Sequence, residues 1–400
     1  MRSVAALRTN PDWAKLPLFD RSKWQRVRFG DVVENLNETC DPAEAGLERF
    51  IAMEHLEPGS LHIRECGSVA DGTTFNRRCR PGQVLFGKRR AYQRKVAVAE
   101  FDAVVSGDIY VFASKGDRLL PELLPFLCIS ERFFNFAVET SAGSLSPRTN
   151  WSSLASFEFD LPPLAQQRRI AEILWAVDET ACAWESNVAT VASLRRAHFQ
   201  SSFRAGNQFP RLAVRDTGTV QLGRQRSPKY QTGKCSKPYL RVANVFDGYI
   251  DYSDVLEMDF DSRDFAAYRL NVGDILLNEG QSRELVGRCA VYDGARKDCC
   301  FQNTLIRYRA GKGILSDYAF AFFQYCFHFG LFAAVANQTT SIAHLGADRF
   351  GAILMPVPHE KAQAQIANRF SELCSMEAEV QRHLNGVRKL QGEFVNTLSS

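Results

Sequence analysis

The chain has 400 residues, 45% of them hydrophobic and 24% charged, proportions that allow buried cores and exclude a disordered or low-complexity polypeptide. That length exceeds one ordinary domain and suits two of roughly 150 residues with additional helices. Forty-nine Lys and Arg against 45 Asp and Glu give a net charge of +4, which permits nucleic acid as a partner without arguing for it, so the case rests on local patches.

Residues 1–23 are polar and interrupted by Pro11 and Pro17, and they read as an extended N-terminal arm. Arg2 and Arg8 flank only Val4 to Leu7, far short of a signal-peptide core. Short apolar runs follow at Arg26 to Phe29, Arg49 to Met53, Val84 to Phe86, Lys95 to Ala99 and Ile109 to Ala113. Pro-Gly, Asp-Gly and Ser-Gly turns bound these runs, which predicts the strands of a mixed sheet, with a helix after them around Leu119 to Val138. The predicted fold class is α+β.

Between two of these strands lies GKRRAYQRK, in which Lys88, Arg89, Arg90, Arg94 and Lys95 surround Tyr92 and Gln93. A strand on either side makes this a loop or hairpin tip. Arginine reads guanine with two hydrogen bonds, glutamine reads adenine, and either cation neutralises phosphate, so the composition suits DNA contact; the plainer reading is a solvated charge run. The first domain closes on TSAGSLSPRTNWSSL, Thr140 to Leu154, a small polar loop whose Arg148 and Asn150 are further candidates or simply part of a turn.

From Leu161 to Ser202 the sequence reads as one long helix that starts at Pro162 and Pro163, since proline at the first helical position loses no hydrogen bond. Its apolar positions step by four and three through Ile170, Leu174, Val177, Ala181, Trp184, Val188 and Val191, then Arg195 and His198, which is a coiled-coil seam. A matching seam near the C-terminus follows Pro356 and Pro358: Ile366, Phe370, Leu373, Glu377, Val380, Leu384, Val387, Gln391, Phe394 and Leu398.

The two helices close the copies of a duplication. Ile170-Ala171 matches Ile366-Ala367 at an offset of 366 minus 170, or 196; RPGQVLF from Arg80 matches NVGDILL from Asn271, and WQRVRFGD from Trp24 matches FPRLAVRD from Phe209. Where the first copy has KRRAYQRK, the second has NEGQSRELVGR with Gln281, Ser282 and Arg283. A separate loop, GRQRSPKYQTGK, brings Arg224, Arg226, Lys229 and Lys234, and is the better phosphate-binding candidate of the second copy. The apolar run from Ala319 to Ala336 reads as a buried core helix, because its counterpart in the first copy carries Glu131, Arg132 and Pro125. Such a duplication can fold as a pseudo-twofold particle whose helices run antiparallel and separate two globular domains.

LPPLAQQRRIAEIL followed by a heptad helix, with a second proline-led heptad helix after a second domain containing the same Gly-x-(V/I)-L turn, resembles the specificity subunit of type I restriction-modification systems. The resemblance runs from about Trp24 to the end. It implies an arm at 1–23, a target recognition domain at 24–160, a central helix at 161–205, a second target recognition domain at 206–357 and a C-terminal helix at 358–400. It also implies that each globular domain reads half of a bipartite site on double-stranded DNA, and that the helices set the spacer and dock two methyltransferase subunits. Restriction subunits are further implied partners. S-adenosylmethionine and ATP with Mg²⁺ are expected on those partner subunits and no cofactor on this chain, which is expected to be cytoplasmic and free of membranes.

Catalytic motifs are absent from the sequence. The nearest approach to GxxxxGK[ST], at Gly233-Lys234, has Pro228 and Cys235 where glycine and Ser or Thr belong. There is no HExxH, no zinc-finger spacing and no Asp/Asn-Pro-Pro-aromatic run. Eleven cysteines without Cys-x-x-Cys spacing read as reduced thiols, and the vicinal Cys299-Cys300 pair reads as buried strand cysteines. The competing readings are a coiled-coil adaptor that binds only protein, and a self-contained nuclease or methyltransferase, which the missing motifs disfavour.

Overall fold

The computed structural model describes residues 19–204, 209–227, 231–338 and 341–399. They form two compact units, one of Met1–Asn187 with Val380–Ser400 and one of Val188–Glu379, so the division falls within both long helices. The expected N-terminal arm lies outside the described residues up to 18. Of its last residues Phe19 is buried with its ring 4.7 Å from that of Phe394, and Arg21, exposed like Asp20, Ser22 and Lys23, donates to the Thr397 carbonyl at 2.6 Å.

In the first unit an antiparallel sheet has the strand order Val33–Leu36, Ile109–Ser114, Val84–Gly87, Val96–Val98. Arg80-Pro81-Gly82-Gln83 delivers the chain into it through a turn with the Gln83 amide on the Arg80 carbonyl at 3.2 Å; Gly82 sits at φ 85°, where a side chain would be strained. Val84 to Gly87 are all buried, and they alternate as a central strand should. Val84 and Phe86 face a core built with the helices, whereas Leu85 joins Ile51, Val105 and Val111 under a second sheet. In that second sheet Arg49–Ile51 runs parallel to Ala103–Val105. Gln25–Arg28 pairs with Glu158–Leu161 and brings the ends of the domain together.

In the second unit the order is Gly218–Leu222, Leu305–Ala310, Ile275–Asn278, Cys289–Val291, again antiparallel. The turn Asn271 to Asp274 closes at 3.0 Å with Gly273 at φ 90°, and Ile275 and Leu277 face one core while Leu276 faces another. Ser236–Leu240 runs parallel to Cys300–Phe301, and Arg211–Ala213 pairs with Leu354–Pro356.

The helix predicted around Leu119 to Val138 is two helices, Leu124–Cys128 and Glu131–Glu139, because the Ser130 side chain caps the second by accepting from the Phe133 amide. The apolar run of the second unit likewise breaks, into Ser316–His328 and Leu331–Val335, at Gly330 with φ 72°. Among the described residues no helix is long and apolar enough to cross a membrane.

The long helices span Leu164–Phe203 and Glu360–Ser399. Each begins on a buried glutamine that the periodicity did not single out. Gln167 is 1% exposed; its amide nitrogen donates to the Pro162 and Arg118 carbonyls at 2.8 Å and its oxygen accepts from the Leu120 amide at 2.9 Å. Gln363, also 1% exposed, donates to Pro358 and Gly313 carbonyls and accepts from the Leu315 amide, all at 2.9 Å. Within the first unit Trp184 stacks on His383, the Gln391 amide donates to Asp178 at 2.9 Å, and Ile170 and Leu174 share a core with Phe394 and Leu398, so the two segments run antiparallel there. Within the second, Arg195 pairs with Glu377 at 3.3 Å and the Phe199 and Phe370 rings meet at 5.2 Å.

The buried face departs from the expected seam in places. Ile170, Leu174, Ala181, Val191, Phe370, Leu373, Leu384 and Phe394 are buried, while Val177, Trp184, Val188, Ile366, Val380 and Val387 are half-buried. Asp178 takes the buried place expected of Val177, and Phe199 and Phe203 lie at 1% exposure where the expected seam ended on His198.

Replacing Gln167 with alanine strands two carbonyls and one amide in the interior, at about 1–3 kcal/mol for each unsatisfied group. Gln167→Ala is therefore expected to lower the melting temperature by several degrees and to speed hydrogen exchange at the Leu120 amide. Unchanged exchange there would show that the glutamine is not what holds the turn.

Candidate nucleic-acid interface

The predicted basic tip does join two antiparallel strands, but it is a braced turn and not a free loop. Arg90 and Arg94, both left-handed at φ 54° and 55°, flank a single 3-10 turn at Ala91–Gln93. The Arg90 amide donates to the Pro147 carbonyl at 2.7 Å, the Thr149 amide donates to Lys88 at 3.0 Å, and Arg89 bridges Arg148 across strands. Two stretches that are 57 residues apart at Arg89 and Ser146 thus form one surface.

Asp108, which the sequence reading passed over, organises that surface. Arg148 donates to its carboxylate at 2.8 Å and Arg89 at 3.4 Å, while Arg89 and Arg90 both reach the Ser146 hydroxyl at 3.2 Å. The Lys88 ammonium lies 4.9 Å from the centre of the Tyr110 ring. Burial works to raise the Asp108 carboxyl, but the Arg148 hydrogen bond and the charges of Arg148, Arg89 and Lys88 outweigh it and hold the group below the usual carboxylate range. Burial, then the neighbouring Arg77, push Lys88 below its ordinary value. Lys88, Arg89 and Arg148 against Asp108 leave a net of about +2 on this face, the sign that attracts phosphate.

The remaining candidates of the first unit are placed elsewhere. Arg94 forms an ion pair with Glu131 and lies over the Phe134 ring, and Lys95 donates to the Met53 carbonyl at 2.6 Å. Asn150 is exposed, but its side chain caps the helix Trp151–Ala155 by accepting from the Ser153 amide at 2.8 Å. Tyr92, Gln93 and Arg94 line a cavity of about 530 Å³ together with Asp178 and Gln391.

In the second unit Gly280–Gln281 pairs with Ala343–His344, and His344 meets Glu279 at 3.1 Å. Ser282 is half-buried, its carbonyl accepting from the Leu285 and Val286 amides, and Arg283 is exposed. Arg224 is not a surface phosphate ligand: it is 7% exposed, paired with Asp264 and the Asp259 carbonyl, with its guanidinium 5.0 Å from the centre of the Phe260 ring. Arg226 and Lys234 are exposed, and Lys229 lies outside the described residues.

Residues 21–188 match the family model described as the type I restriction modification DNA specificity domain. Residues 21–188 are thus similar to that DNA specificity domain, and they contain the whole Lys88, Arg89, Asp108 and Arg148 surface. The chain is 24% identical over 193 residues to the EcoDI specificity subunit of Escherichia coli, covering 46% of this chain and 42% of that one. To the EcoKI specificity subunit of E. coli strain K12 it is 23% identical over 290 residues, 67% of this chain and 62% of that one. The matches thus span less than two thirds of either relative. The crystal structure of the type I restriction-modification S subunit from M. genitalium shares the fold, with a TM-score of 0.60 at 11% identity over 94% of this chain and 96% of that one.

Asp108 supplies a pH test. Its depressed folded value means that its contribution to stability is present above the unfolded carboxyl value of about 3.9 and is lost as pH falls through the folded one. Melting curves of wild type and Asp108→Asn should therefore differ most near neutral pH and converge as pH falls below the depressed folded value. A constant difference across that range would assign the stabilisation to packing alone.

Proposed function

We propose that this chain is the sequence-reading component of a type I restriction-modification complex, each globular unit reading one half of a bipartite target on double-stranded DNA. The observation that carries the reading is the coincidence of the DNA specificity domain match with a braced cationic surface made from two loops of that same domain. The recurrence of the strand order, the Gly82 and Gly273 turns and the glutamine-anchored helices supports a duplicated reader with unlike loops. Arginines held by Asp108 and Ser146 have lost rotamer freedom before DNA arrives, which favours binding.

The two 40-residue helices, on the order of 60 Å each at 1.5 Å per residue, are assigned the spacer and the docking of two methyltransferase subunits. Methyl transfer and any restriction belong in this reading to partner subunits that hold S-adenosylmethionine and ATP with Mg²⁺. This chain itself is non-catalytic.

Two measurements test the proposal. Mapping methylated sites in cells with and without the gene should show one bipartite motif lost on deletion, and an unchanged methylome rejects the reading. In the assembled complex, Arg89→Ala with Arg148→Ala should weaken binding to every duplex and flatten the slope of log K against log salt by about one unit per lost phosphate contact. An unchanged slope places the DNA contact elsewhere on the domain.

A further inference from the structure

One cluster in the first unit takes no part in the DNA reading above. Asp178 and Cys182 stand four residues apart on one face of the Leu164–Phe203 helix, and His62 reaches them from the loop after Ser60. One nitrogen of His62, one oxygen of Asp178 and the sulfur of Cys182 all lie within 4.8 Å of one another. Asp178 is 6% exposed; His62 and Cys182 are half-buried.

The surrounding groups are arranged as the outer shell of a metal site. Glu100 lies 2.8 Å from His62 Nδ1 and Asp178 lies 2.8 Å from Nε2, so without metal each ring nitrogen donates to a carboxylate, and a metal ion would take the place of the Nε2 hydrogen. The Gln391 amide holds the other Asp178 oxygen at 2.9 Å. A carboxylate behind the histidine and an amide on the ligating carboxylate are what orient donors around a cation. Imidazole nitrogen, thiolate sulfur and carboxylate oxygen together select a borderline-soft divalent ion and not Ca²⁺ or Mg²⁺, which prefer all-oxygen shells.

We propose that His62, Asp178 and Cys182 form a binding site for a divalent transition metal of the zinc class, with three protein ligands and one open position. Donors around tetrahedral zinc lie about 3.3 to 3.8 Å apart, so the ion enters by a shift of about 1 Å that opens the His62–Asp178 pair and draws in the thiol, and the His62 Nε2 proton and the Cys182 thiol proton both leave to solvent. The two negative ligands balance its charge. Asp178 also lines the cavity of about 530 Å³. Bound metal clips the His62 loop to the helix and so fixes the specificity domain against its own stalk. At the offset of 196, 178 becomes Cys374 and 182 becomes Ala378, so the site belongs to the first unit and is no part of the repeated frame.

The full-length chain, stripped with chelator and titrated with Co²⁺, should bind one ion per chain with a thiolate-to-cobalt charge-transfer band that Zn²⁺ displaces. Cys182→Ser should abolish the band, Cys66→Ser at an exposed thiol elsewhere should leave it, and Glu100→Gln should weaken affinity about tenfold. Zn²⁺ should raise the melting temperature of wild type and not of Cys182→Ser, whose circular dichroism confirms that it folds. A wild-type chain with no thiolate band, or a band that survives Cys182→Ser, overturns the assignment.

Discussion

Burying the carboxamides of Gln167 and Gln363 at 1% exposure is tolerable because each meets three backbone groups that would otherwise be unsatisfied. In each case the partners come from the chain just before the helix and from the segment that leads into the preceding helices, at Arg118 to Leu120 and Gly313 to Leu315. A rod of 40 residues is useful only if its first turn is fixed to the domain it follows. Proline pre-sets the dihedral angles there, and the glutamine locks the direction.

The same economy shapes the cationic face. Asp108 lowers its net charge, yet without that carboxylate the arginines would repel one another and sample many rotamers. Arg94 shows the other outcome: its acid, Glu131, opens a helix on the cavity side and draws the cation away from the Lys88, Arg89 and Arg148 face. Sequence neighbours in KRRAYQRK therefore serve two different surfaces, divided by the turn at Ala91–Gln93.

How far the sequence was legible follows from what its patterns encode. Strands bounded by Pro-Gly and Asp-Gly turns came out within a residue or two, because a positive-φ glycine and a period-two apolar run are local properties. Both long helices came out for the same reason. Hydrophobic stepping could not place Asp178 on the buried face, since its partners His62 and Gln391 are 116 and 213 residues away. Arg224 was misread as a loop cation because Asp264, which neutralises it, is 40 residues downstream, 264 minus 224. The single helix expected at Leu119 to Val138 hid a serine cap inside an apolar run, and Asn150 looked like a recognition residue because caps and base readers use the same amide.

Cys299 precedes the strand that Cys300 opens, and the Cys299 thiol lies in the cluster with Leu276 and Phe301 while the Cys300 thiol lies with Tyr239 and Phe260. Neighbours in sequence are thus strangers in space, each walled off on its own side of the sheet, and burial pushes both thiols up to about 12. Cys79 and Cys128 are shut away in the first unit, and Cys289 and Cys326 join the pair in the second. An alkylating reagent reaches any of them only when its own unit breathes open. The chain carries, at no cost to its surface, buried thiols in each unit from which the opening of that unit can be timed.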